Sequence, residues 1–286
     1  MGRAERRRAI LGCLGAAVLA FAVAPKVVAA EPEAKPLFEL GVAGGGGYLP
    51  DYPAAGQSHF QGIALPYLAY RGRFFRSDEK GLLRGRVVRT ERIELDLSLS
   101  GSFAADSDDN DARTGLPDLD YLGEIGPRLQ ITLARAARDA KIDFELPVRA
   151  VLSTDFSDLD YRGLLAAPQI AYQHDDLGGR GLEVKLGLTA SFATTEFMDY
   201  FYQVEPRFAT ASRPAFDARA GYVGTRLQLS GIQPLGPRWR LFVALRGDSH
   251  HGAANERSPL FIERLTWAAG GGLIWSFFHS ERRGVE

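Results

Sequence analysis

Five histidines, a cluster of aspartates and a run of four glycines are the residues of this chain whose types and spacing could do chemistry. His59, His174, His250, His251 and His279 are the candidate bases. Asp248-Ser249-His250-His251 and His174-Asp175-Asp176 set bases beside a hydroxyl or acids, as a hydrolase needs. Adjacency in sequence is not triad geometry, however, and neither a Gly-x-Ser-x-Gly elbow nor a His-Glu-x-x-His zinc motif accompanies them. Asp106, Asp108 and Asn110 copy the first three ligand positions of a calcium loop, but Asp111 stands where the turn needs glycine and Pro117 where a bidentate glutamate should close the site. A solvated acidic loop is the expectation, with weak calcium bridging to lipopolysaccharide phosphates as the alternative. The glycines, Gly44 to Gly47 in LGVAGGGGYLPDYP (Leu40 to Pro53), lack the Gly-Lys-Ser/Thr end of a phosphate-binding loop. No catalytic, cofactor-binding or metal-ligating residue is therefore expected.

The elements that must position these residues begin with an export signal. Arg3, Arg6, Arg7 and Arg8 precede an apolar stretch from Ala9 to Ala24, and Val28-Ala29-Ala30 ends in small residues, so residues 1–30 read as a cleaved signal peptide. Arg7-Arg8 leaves a twin-arginine signal open; a lipoprotein box at Cys13 has too few apolar residues before it. Removing the signal takes five of the 34 basic residues (Arg3, Arg6, Arg7, Arg8, Lys26) and one of the 35 acidic ones (Glu5), leaving 29 against 34. That balance excludes nucleic acid as a partner. Cys13 is the single cysteine, so residues 31–286 must be ordered by hydrogen bonding and burial without disulfides. They read as one domain with a short tail at 279–286, and no mature stretch has the roughly 18 to 20 apolar residues of a membrane helix.

Alternation with a period of two dominates this part of the chain. Ile142, Phe144, Leu146, Val148, Ala150 and Leu152 oppose Asp143, Glu145 and Arg149; Ile93, Leu95, Leu97 and Leu99 oppose Glu94, Asp96, Ser98 and Ser100. From Leu182 the same holds, with Val184, Leu186 and Leu188 against Glu183, Lys185 and Thr189. Such runs exceed the usual strand of about five or six residues and match the roughly nine to eleven that cross a bilayer. A soluble sandwich also alternates, but charges repeated in mid-strand favour a barrel with lipid outside and Glu94, Asp96, Glu124, Arg128, Asp143, Glu145, Arg149, Glu183, Lys185, Arg226, Arg240 and Arg246 in the lumen. Tyr67, Tyr70, Trp239, Trp267 and Trp275 fall near strand ends, where an interfacial belt lies.

Turn signals divide the chain into twelve expected strands, at 37–48, 58–70, 72–78, 82–89, 91–104, 119–134, 141–152, 162–174, 181–193, 216–232, 238–248 and 264–278. The weakest are the short pair around Glu79-Lys80-Gly81; without them the count is ten. Tight connections alternate with long ones at 49–57, 105–118, 153–161, 194–215 and 249–263, which places both termini in the periplasm. Glycines 44 to 47 and 270 to 272 then sit in the first and last strands, which must pair on closure. The expectation is a glycine-lined seam, with Tyr48 or Trp275 over the bare backbone.

GYLPDYP, ALPYLAYRGRFFRSD, RIELDLSLSGSFAADSDDNDARTGLPDLDYLGEIGP, PAFDARAGYVGTRLQLSG and SPLFIER resemble, in order through nearly the whole mature chain, the MipA/OmpV family. Ala112 to Leu119 is similar to its Arg-x-Gly-Met-Pro-Asp-Leu segment, with Leu116 in place of methionine. The resemblance implies an outer-membrane barrel of Gram-negative bacteria. For one branch it implies a scaffold that links a lytic murein transglycosylase to a bifunctional penicillin-binding protein, and for the other a surface protein linked to adhesion. The expected partners are thus outer-membrane lipid, lipopolysaccharide and murein-remodelling enzymes. The nearly balanced lumen charges read as a cross-lumen network, with a small diffusion pore as the alternative; a hydrolase would centre on His250. After Trp275-Ser276-Phe277-Phe278 the chain continues, so an assembly signal there would be internal.

Overall fold

The structure, a computed structural model, describes residues 36–71, 75–78, 81–85, 88–90 and 92–282. The expected signal at 1–30, the tip of the hairpin at Glu79-Lys80 and the last residues of the expected tail, 283–286, lie outside them. Fourteen strands of one antiparallel sheet are assigned among the described residues: β1 Phe38–Pro50, β2 Ser58–Arg71, β3 Phe75–Asp78, β4 Gly81–Gly85, β5 Val88–Arg89, β6 Ile93–Ser102, β7 Tyr121–Ala137, β8 Ala140–Thr154, β9 Leu159–Ala166, β10 Gln169–Leu177, β11 Leu182–Ala193, β12 Gly221–Pro234, β13 Trp239–Ser249 and β14 Leu265–His279. The sheet runs from β4 back to β1, across to β14, and down in order to β6 and β5. Cα atoms of β4 and β6 come within 8 Å, so the sheet curls back onto itself as a β-barrel. No helix among the described residues is long and apolar enough to cross a membrane.

The expected strand at 162–174 is corrected to two, β9 and β10, which share one place between β8 and β11. The cause is Pro168, which has no N–H to give the ladder. Around it Ala167 N–H donates to Pro147 O at 3.1 Å, and Ala190 N–H to Pro168 O at 3.0 Å. The alternation is inverted relative to a soluble protein. Asp96, Arg128, Asp143 and Glu145 are buried, whereas Leu186, Leu188, Leu227, Leu229, Trp267 and Trp275 are exposed. A band of exposed leucine and aromatic side chains is stable against hydrocarbon, not water, which is the polarity of a membrane barrel.

β1 and β14 pair over ten residues, with Gly45 opposite Gly272, Gly46 opposite Gly271 and Gly47 opposite Gly270. A Cβ on Gly45 would meet Gly271 O at 2.6 Å, one on Gly47 would meet Ala269 O at 2.7 Å, and one on Gly272 would meet Gly44 O at 2.5 Å. These side chains would be compressed on the concave face of a tightly curved wall, so hydrogen is the substituent that fits. The cover over the bare backbone is not Tyr48 or Trp275: the Phe60 ring lies where a Cβ on Gly46 would be, at 2.6 Å. Phe60 pairs directly with Tyr48, so its ring reaches Gly46 on the diagonal. The first residues of the expected tail extend the seam. Ser280 N–H donates to Phe38 O, and Leu37 N–H donates to Arg282 O.

Gly45→Val is expected to cost about 3 kcal/mol, the upper end for overpacking against backbone. Gly123→Ala, where nothing lies within 4 Å, should be neutral. Heat-modifiable gel mobility of the extracted barrel separates the two: the valine variant should lose its fast-migrating folded band and the alanine variant should keep it.

Candidate functional site

At one end of the barrel the long connections, 51–57, 103–120, 194–220 and 250–264, fold together into a cap. Its centre is a helix, α1 (Thr195–Tyr202), in a stretch expected to be loop. Phe197, Met198, Phe201 and Tyr202 are buried together, since positions three and four apart, as Met198/Phe201, Phe197/Phe201 and Met198/Tyr202 are, share a helix face. They pack with Tyr52, Leu119, Val204 and Leu260, and with Leu122 of β7 and Val151 of β8 at the end of the wall. Tyr52 and Phe201 stack with centroids 6.4 Å apart.

Polar groups tie the cap segments to one another. Tyr52 Oη donates to Leu260 O, Tyr202 Oη to Pro53 O and Ser258 Oγ to Tyr202 O, each at 2.8 Å. Burial pushes both phenols above their ordinary range, with Arg113 pulling Tyr52 partly back. Arg113, 4% exposed, donates to Ser107 Oγ (3.2 Å), Pro117 O (2.9 Å) and Phe201 O (3.5 Å), and its guanidinium lies 5.6 Å from the centre of the Tyr52 ring. Asp118 accepts from Ser107 N–H at 2.8 Å, and Gly115 takes φ +78°, which a residue with a Cβ resists. The Arg-x-Gly-Leu-Pro-Asp-Leu segment is therefore a self-folded turn that aims a cation into the cap.

His250 is the second hub. Its Nδ1 lies 3.0 Å from Val223 O, which can only accept, and its Nε2 takes Ala54 N–H at 3.2 Å and lies 3.3 Å from Thr266 Oγ1. Those partners select the neutral ring with the proton on Nδ1. Burial lowers its pKa from the ordinary 6.5. Ala54 N–H is presented from φ +63°, a strained conformation for alanine.

The other candidate bases do not converge on a site. His59 Nδ1 is 2.7 Å from Asp51, whose second oxygen accepts from Asn110 Nδ2 at 2.7 Å. His174 Nδ1 accepts from Asp176 N–H, and His279 stands 4.0 Å from Glu39. Ser249 Oγ and His251 Nδ1 come within 3.2 Å on the surface. The calcium-like segment is used differently: Asn110 turns inward to Asp51, while Asp106 Oδ1 accepts from Asp108 N–H. Among the described residues no group of three or more His, Cys, Asp or Glu could hold a metal.

In the lumen, Arg128 forks onto Asp96 and stands 3.6 Å from Glu145, which also takes Lys185 Nζ at 2.6 Å. Arg149 donates to Glu124 and to Ser98, each at 3.0 Å. Asp143 takes Lys141, Gln130 and Thr132. Arg240 reaches Glu39 and Ser276 and lies over Tyr67. The expected pairing is present, but these ion pairs lie within one strand or join adjacent or next-but-one strands, so they run around the wall instead of across the lumen. Sequence reasoning missed Arg113, Tyr52, Tyr202 and α1; the helical spacing of Phe197, Met198, Phe201 and Tyr202 was the signal available for α1.

Arg113→Ala strands main-chain carbonyls in the cap core and should cost about 3 kcal/mol, read as faster proteolysis of the long loops. For His250 the folded pKa lies below the unfolded one, so its contribution is complete above about pH 6.5 and is lost as pH falls from there through the folded pKa. The slope in that window is at most about 1.4 kcal/mol per pH unit. Protease resistance of the loops should accordingly drop between pH 7.5 and 5 in the native chain and stay flat in His250→Gln.

Two solved structures are similar in outline. One is a NanC porin, with 6% identity and a TM-score of 0.38 over 84% of this chain and 100% of that one. The other is a bacterial polysaccharide outer membrane secretin, with 11% identity and a TM-score of 0.38 over 86% of this chain and 100% of that one. At those scores neither carries an argument. No curated protein matches the chain. The family described as MltA-interacting protein MipA matches residues 42–277, nearly all of the barrel and every cap segment. The chain is an outer-membrane β-barrel protein and belongs to the MipA family.

Proposed function

We propose that this barrel acts by binding and not by turnover, as an outer-membrane interaction protein. The observation that carries the proposal is the cap, in which four connections share one apolar core at the long-loop end of the wall. A passive pore needs no such core at its mouth, whereas a recognition surface needs loops held in one shape. The inward ion pairs add to this, since they occupy lumen space with groups that satisfy each other. Both nitrogens of His250 are taken by structural partners, which favours a non-enzymatic role.

Further features belong to the same reading. β9 and β10 share a position, β4 pairs with β3 and β5 with β6, and with β4 and β5 taken as one place in the wall the fourteen assigned strands fill twelve positions. Short connections such as Arg138-Asp139 lie at the end that also carries Phe38 and His279. By the usual rule that end is periplasmic, with both termini there, the signal at 1–30 removed and the cap facing out towards lipopolysaccharide. The family description points to a murein-remodelling enzyme as the periplasmic partner, held as by a scaffold. Surface recognition, including adhesion, is the second reading, favoured because the largest shaped surface beyond the wall is the cap.

Cross-linking in intact cells from Arg282 at the seam and from Arg213 in the cap separates the readings. Murein enzymes captured from Arg282 support the scaffold; partners captured from Arg213 alone would refute it. In planar bilayers the native chain should show no steady open current. Sustained ohmic conductance would contradict a barrel that works by binding.

A further inference from the structure

The inner wall is divided by polarity. On the β6 to β11 side, Asp96, Arg128, Glu145 and Lys185 compensate one another, two acids against two bases. On the β13, β14, β1 and β2 side, alternation from the lumen residues Arg240, Ser276, Glu39 and Tyr67 sets which residues point inward. Phe242, Ile63 and Leu65 do, yet they are 36%, 46% and 39% exposed. Inward-facing apolar groups with that much free surface border open lumen. Beside them the inward seam positions 45, 47, 270 and 272 are all glycine, and the polar side chain on this strip of wall is Gln61, opposite Gly47 near the cap end. It extends from Arg240 to Arg246 along β13, six residues or roughly 20 Å.

At the cap end of the strip two cations share one acid. Arg226 Nε donates to Asp248 Oδ1 at 2.6 Å, and Arg246 Nε lies 3.0 Å from Asp248 Oδ2. No other carboxylate among the described residues pairs with either guanidinium, and both side chains keep exposed surface, 40% and 29%. The nearby His250 is held neutral by its hydrogen bonds. One positive charge is left over at the head of an apolar strip. Such a charge on the lumen wall calls for an anion, and the strip below Gln61 calls for a body without hydrogen-bonding groups.

We propose that the lumen binds a long-chain monocarboxylate, with its carboxylate on Arg226 and Arg246 beneath the cap and its alkyl chain along the glycine strip. A sugar acid has the charge but would leave its hydroxyls facing Phe242, Ile63 and bare backbone. A neutral lipid has the chain but leaves the cation unmatched.

The test uses the full barrel in an uncharged amphipol, with palmitate, hexadecanol and a hexuronate as probes and binding read by isothermal titration. Palmitate should bind saturably at one per chain and hexadecanol at least about tenfold more weakly, the value of one charge-assisted contact. The hexuronate should not bind measurably. Arg246→Met and Arg226→Met should each weaken palmitate by about tenfold, and Arg226→Lys should retain most of the affinity. Ala244→Phe fills the strip without touching a charge and should abolish palmitate binding, which keeps the idea testable if an arginine variant fails to fold. Equal affinity for palmitate and hexadecanol, tighter binding of the hexuronate, or palmitate binding unchanged in Ala244→Phe would overturn the proposal.

Discussion

A sheet edge in hydrocarbon leaves a row of N–H and C=O groups with no partner, at several kcal/mol each, so a membrane sheet must close. In this chain closure falls to β1 against β14, the first and last strands, and the join is made of glycine on both sides. Glycine is a poor strand former, and eight of them in two paired strands would be a weakness elsewhere. Here Cβ atoms at the inward positions 45, 47, 270 and 272 would meet the facing backbone at 2.5 to 3.0 Å, so the residue that weakens a flat sheet is the one this curvature admits. The extension of the seam through Ser280 and Arg282 lengthens the join beyond the paired strands.

Once the wall is closed, its two faces meet different solvents and the rest of the structure follows. The outer face sheds charge. The inner face can hold Asp96, Arg128, Glu145 and Lys185 because each has an opposite charge within reach. Towards the long-loop end the inner row changes character, and Leu122 and Val151 become the base on which the cap is built. The cap is thus a small globular core seated on a membrane barrel, with Arg113 and His250 as its polar hubs. The segments that carry the family resemblance meet there: Tyr52 from GYLPDYP bonds Leu260 from SPLFIER, and Arg113 bonds Phe201 beside them.

The wall was legible in the sequence because a strand with two environments must alternate, and charges in mid-strand say which face is the lumen. The pairing of β1 with β14 could be read from closure alone. The break between β9 and β10 was marked by Pro168 but was absorbed into one long apolar run. Which ring covers Gly46 depends on register, and the diagonal from Phe60 cannot be found without it. The cap was least legible. Its arginine bonds main-chain carbonyls, which have no signature in a sequence, and α1 is too short for its four apolar positions to stand out from a loop.

The lumen, the cap and the outer face all depend on a closed seam, and a disulfide across it tests closure most directly. Cys13 is the only cysteine and lies outside the described residues, so in a Cys13→Ser background Ala43→Cys with Ile274→Cys puts a single pair in the chain, at positions directly opposite in β1 and β14. Closure predicts that the two form a disulfide in intact cells under mild oxidation, giving a cross-linked band that reduction reverses. Free thiols at both positions in correctly folded protein would contradict the barrel and everything built on it.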